Sequence, residues 1–128
     1  MANKVLMIDD DNEFVEAISN LLDAKGYEVI SASNGKEGID LARLENPDII
    51  LLDVMMTTKS EGFDTARQIQ QDAKINNIPI IMITGIRKEM NLPFGFEADQ
   101  DWLPVKMILE KPVKPEVLLK AIEDNIKK

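Results

Sequence analysis

The sequence predicts an α/β fold: a five-stranded parallel sheet, doubly wound, with helices on both faces. Three observations carry this. Short apolar runs recur along the whole chain, and the stretches between them follow a helical period. The third run, Ile49 to Leu52, is apolar at every position, as a strand covered on both faces must be.

Taken in order, "KVLMI" (4–8) reads as the first strand. Phe14, Ile18, Leu21 and Leu22 then recur at helical spacing, and Gly26 marks the stop. "YEVIS" (27–31) is the second strand, followed by Asn34 and Glu37 as a capping box ahead of Ile39, Leu41 and Leu44. "DIILLD" (48–53) is the third, with Phe63, Ala66, Ile69 and Ala73 as the stripe of the next helix. "IPIIMIT" (78–84) and "KMILE" (106–110) complete the strands. Pro115 opens a last helix carrying Val117, Leu118, Ile122 and Ile126. The connection over 85–105 is long and irregular, and Phe94, Phe96 and Trp102 are expected to pack it down. A single domain over 1–128 is expected, with no output domain.

Composition removes whole classes of chemistry. With no cysteine there are no disulfides, thiolate metal sites or cysteine nucleophiles. With no histidine there is no Ser-His-Asp triad, no imidazole-bound zinc and no phosphohistidine carrier. The net charge of −8 disfavours direct nucleic-acid binding. No apolar run approaches the ~20 residues of a membrane span. No membrane insertion and a cytoplasmic location are expected.

The informative residues stand at strand ends. Crossovers between parallel strands are right-handed, so the carboxyl ends share one edge, where ligands of such sheets bind. Asp9, Asp10, Asp11 and Asn12 follow the first strand; Asp53 ends the third, Thr84 the fourth, and Lys111 follows the fifth. Asp53 directly continues the buried run, and an ionised carboxylate taken from water costs several kcal/mol, roughly, unless it is paired. Lys111 supplies one positive charge. Magnesium suits the remainder, since it takes one or two carboxylates and completes its octahedron with water, carbonyl or phosphate oxygens. A carboxylate beside magnesium and an ammonium is a reasonable nucleophile toward phosphorus, with Thr84 available to donate a hydrogen bond.

The chain resembles the response-regulator receiver domains, the phosphoacceptor modules of two-component signalling. "KVLMIDDDNEF", "SASNGKEGIDLARLENPDIILLDVMM", "IPIIMITG" and "EKPVKPEVLLKAIE" stand in family order and cover essentially the whole chain. The resemblance implies a flavodoxin-like strand order, 2-1-3-4-5. It implies a protein that is not an enzyme in the ordinary sense: an acceptor that takes a phosphoryl group from phosphohistidine and can lose it by autodephosphorylation. Asp53 resembles the phosphorylation site. Asp10 and Asp53 resemble the direct Mg2+ ligands, with the backbone carbonyl of Met55, and Asp9 acts through a coordinated water. Thr84 resembles the switch hydroxyl and Lys111 the lysine that contacts the phosphoryl group. The implied partners are a sensor histidine kinase or phosphotransfer protein upstream and an unidentified protein target downstream.

Three departures from the family pattern are visible. Thr57 stands where a proline is usual, "VMMTTKSEGF" is one residue longer before Gly62, and Ile108 replaces the switch aromatic. The segment 85–105 is therefore the expected responsive surface.

Other readings exist. Asp-x-Asp at Asp9 and Asp11 also resembles a haloacid-dehalogenase-type phosphatase with Asp9 as nucleophile and Asp11 as acid/base, which leaves Asp53 unexplained. A receiver-like interaction module that is never phosphorylated is another. Asp9 to Asp11 as a plain helix-capping turn is the blandest. A flavin site is disfavoured, because the acids after the first strand repel a phosphate.

Overall fold

The computed structural model describes residues 3–53, 61–84, 107–110 and 113–126. Its strands are β1 (Lys4–Ile8), β2 (Glu28–Ala32), β3 (Ile49–Asp53), β4 (Ile80–Thr84) and β5 (Met107–Glu110). All pair in parallel, in the order β2-β1-β3-β4-β5. The described helices are α1 (Asn12–Ala24), α2 (Gly35–Glu45), α3 (Glu61–Gln70) and α4 (Pro115–Asn125). Met55, Thr57, Lys111 and the segment 85–105 lie outside the described residues.

Strand alternation splits the core in two. Leu6, Ile8, Ile50, Leu52, Ile80 and Met82 face α2 and α3, meeting Ile39, Ala42, Ala66 and Ile69. Val5, Met7, Ile49, Leu51, Ile81 and Ile83 face α1 and α4, meeting Ile18, Leu22, Leu118 and Ile122. The sheet is thus covered on both sides, which is why β3 carries no polar residue before Asp53. Each aliphatic side chain buried in this way contributes about 1.5–3 kcal/mol.

The helix ends follow the local chemistry of the sequence. α1 stops in a Schellman arrangement: Gly26 takes φ 89°, its N–H reaches Asp23, and the Tyr27 N–H reaches Leu22. At α2 the Asn34 side chain accepts the Glu37 N–H at 2.9 Å. The return bond differs from an ordinary capping box, since the Glu37 carboxylate takes the N–H of Ser33 instead of Asn34.

Two apolar stripes differ from expectation. Leu44 is 77% exposed. It lies five residues beyond Ile39, about 140° around a helix at roughly 100° per residue, while Ala42 keeps to the buried face. Ala73 is outside α3 and exposed, and the buried position passes to Ile75. The cause is Asp72, whose carboxylate accepts the Lys74 N–H at 2.9 Å and whose carbonyl takes the N–H groups of Ile75 and Asn76. That turn competes with continuation of the helix.

Candidate functional site: an acidic cluster at the carboxyl edge of the sheet

Register sets the site. Ile8 pairs with Leu52, so the next residues, Asp9 and Asp53, leave neighbouring strands at the same level. Parallel neighbours run about 4.8 Å apart. Alternation places both aspartates in line with Val5, Met7, Ile49 and Leu51, on the side covered by α1 and α4. Asp9 is 4% exposed and Asp53 is 3% exposed, whereas Asp10 is open to solvent.

The carboxylates of Asp9, Asp10 and Asp53 offer ligand oxygens that all lie within 4.8 Å of one another. At that separation two unit charges repel by roughly 3 to 4 kcal/mol for an effective dielectric near 20. Every buried side-chain oxygen among the described residues has a hydrogen-bond partner. Three carboxylates at this spacing suit a small divalent cation with oxygen preference. Hard oxygen donors, no sulfur and no imidazole fit magnesium in chemical type.

The backbone around the acids is tied at both ends. The Asp9 N–H donates to the carbonyl of Ala32 at 2.9 Å, extending the β1–β2 ladder by one bond. The Asp11 N–H then donates to Asp9 Oδ1 at 2.9 Å. Asp11 is the N-cap of α1, and its carboxylate accepts the Phe14 N–H at 3.1 Å. The capping reading of the acidic run thus holds for Asp11, while Asp9 and Asp10 belong to the cluster. The Asp11–Asp9 bond was not singled out from sequence; its i, i+2 spacing is the signal of an Asx turn.

Of the other expected site residues, Thr84 ends β4, where it pairs with Glu110, the last residue of β5. Asp53 pairs one step earlier with Ile83. Lys111 and Met55 lie outside the described residues.

Fold and cluster together define a doubly wound α/β protein with an acidic centre at the carboxyl edge of its sheet. The family model for the response regulator receiver domain matches residues 5–123, and the chain belongs to that family. It is 34% identical over 120 residues to protein PilH of Pseudomonas aeruginosa, covering 93% of each chain. It is 37% identical over 103 residues to the transcriptional regulatory protein CpxR of Escherichia coli, covering 80% of this chain and 42% of that one. The chemotaxis protein CheY4 of Vibrio cholerae superposes with a TM-score of 0.80 at 27% identity, covering 98% of this chain and 99% of that one.

The protein is a phosphoacceptor of two-component signalling. Neither alternative gains support. In the phosphatase reading Asp11 is an acid/base group beside Asp9, but its carboxylate is engaged in capping α1. Asp53, idle in that reading, stands inside the cluster. Among the described residues no helix is long and apolar enough to cross a membrane.

Proposed function

We propose that Asp53 is the phosphoacceptor, that Asp9, Asp10, Asp53 and the Met55 backbone carbonyl hold Mg2+, and that Thr84 and Lys111 attend the phosphoryl group. The observation that carries this is a buried carboxylate at the end of β3 gathered with the two acids that follow β1. Register supports the outer members. Thr84 leaves β4 one step beyond the partner of Asp53, and Lys111 follows Glu110 directly.

In the reaction an Asp53 carboxylate oxygen attacks phosphorus of a phosphohistidine donor. An O–P bond forms as the P–N bond breaks, and the electron pair leaves with the donor imidazole. Bound magnesium supplies neutralisation of the phosphoryl oxygens during transfer. The chain's part is to hold Asp53 out of bulk water with one oxygen aimed at the donor. Thr84 is assigned a hydrogen bond, and Lys111 an ion pair, to the transferred group. In autodephosphorylation a water oxygen attacks phosphorus, the P–O bond to Asp53 breaks with its electron pair staying on the regenerated carboxylate, and inorganic phosphate departs carrying the water's protons.

The upstream partner in this reading is a sensor histidine kinase or phosphotransfer protein, and the signal passes to a protein target by contact. Residues 1–128 act as one receiver unit in this reading, in keeping with a match along 93% of PilH. A composition without cysteine and a net charge of −8 fit a cytoplasmic setting away from nucleic acid.

Incubation with a small phosphodonor such as acetyl phosphate, followed by intact mass, tests the assignment. One phosphoryl adduct is expected with magnesium, and none with chelator or in Asp53→Asn. Full labelling of Asp53→Asn with loss of labelling in Asp9→Asn would overturn it in favour of the phosphatase-type chemistry.

A further inference from the structure

The turn Asp9–Asp10–Asp11 is strung between two fixed points. At its start the Asp9 N–H is bonded to Ala32 of β2. At its end Asp11 takes φ −86° and ψ 96°, an extended conformation, while its carbonyl already accepts the first helical bond, from Val15 at 3.0 Å. The cap bond from Phe14 N–H to the Asp11 carboxylate holds that conformation. The same residue's N–H points back and donates to Asp9 Oδ1. One residue therefore closes the helix with its side chain and fixes an Asp9 oxygen with its backbone.

We infer that Asp11 is a positioning residue for the metal centre: its cap of α1 aims its own amide at Asp9 and so fixes how that buried carboxylate faces the cation site. The inference rests on the reading of the cluster as a magnesium centre. Loss of the partner that orients a direct metal ligand costs about 10- to 100-fold in affinity; Asp9 is assigned a water-mediated contact, so its orienting partner acts at one further remove and its loss falls below that range. The geometry separates this effect from charge. Asparagine at position 11 keeps a capping oxygen and removes the charge; alanine removes both.

The test is titration with magnesium alone by calorimetry on the full chain, paired with hydrogen exchange at the residue-11 amide. Asp11→Ala is expected to weaken magnesium by about fivefold, below that range, and to lose protection at the residue-11 amide. Asp11→Asn should stay within about twofold of wild type and keep the protection. In an Asp9→Ala background the further loss from Asp11→Ala should vanish. Equal weakening by Asn and Ala would make the effect one of charge and overturn the inference. So would unchanged affinity in Asp11→Ala with only a lower unfolding midpoint, since Asp11 would then serve the helix alone. So would a full loss persisting without Asp9. A wild-type chain that binds no magnesium at all is a different outcome: it removes the metal-centre reading and this inference with it.

Discussion

Gly38 of α2 lies against Ile8 of β1 so closely that a Cβ at position 38 would run into Cδ1 and Cγ1 of Ile8. Ile8 is fully buried, and it immediately precedes Asp9. The helix approaches the sheet here because one residue has no side chain, and the strand that delivers the acidic pair is packed by that approach.

Gly38→Ala is therefore expected to destabilise the protein. Alanine gains roughly 1 kcal/mol over glycine in a helix interior. Overpacking a full core costs about 1–3 kcal/mol, and a contact this short belongs at the upper end. A net loss of about 1–2 kcal/mol in urea unfolding is expected. Unchanged or raised stability would mean that Ile8 moves aside freely.

Asp10→Asn should weaken magnesium more than Asp9→Asn. Asp10 is exposed and is assigned direct ligation, whereas Asp9 is buried, bonded to the Asp11 amide and assigned a water-mediated contact. Calorimetric titration of the two variants decides it, and equal losses would contradict the assignment.

Charge crowding in the cluster is expected to lower the stability of the metal-free protein. Asp53→Asn removes one of three charges that lie within 4.8 Å, and should raise the unfolding midpoint in chelator. Wild type should gain about 2.7 kcal/mol from magnesium at a hundred times its dissociation constant, and Asp53→Asn much less. If chelator and magnesium give the same midpoint in wild type, no cation couples to folding.

The Asp72 turn predicts an acid-sensitive increment. The Lys74 N–H, and after it Arg43, hold the Asp72 carboxyl below its usual 3.8. The folded state thus favours the ionised form. Its contribution is complete above the unfolded value near 3.8 and is lost as pH falls through the lower folded value. The stability gap between wild type and Asp72→Asn should be widest near neutral pH and shrink on acidification below that value. Urea melts across that range check it, and a constant gap would show that the pair contributes nothing through ionisation.

The sequence by itself determined the class of fold and the three acids of the cluster. Parallel strands read plainly because a strand covered on both faces must be apolar throughout, and the interruption at Asp53 was legible against that background. The aspartates after β1 were legible because the carboxyl ends of parallel strands converge by chirality alone. Only the tertiary structure decided matters that depend on side chains meeting across distance. Arg43 reaches Asp72 over a separation of 29 residues, beside the turn that follows α3 and leaves Ala73 outside it. Leu44 kept its place in a list of apolar residues but not on the buried face, since a stripe is fixed by what packs against it. The division of labour within "DDDN" was also a tertiary result: spacing supplies the acids, but the Ala32 bond and the α1 cap decide that Asp9 is buried, Asp10 exposed and Asp11 turned to the helix. Hydrogen bonds to backbone, and not residue type, assigned those roles.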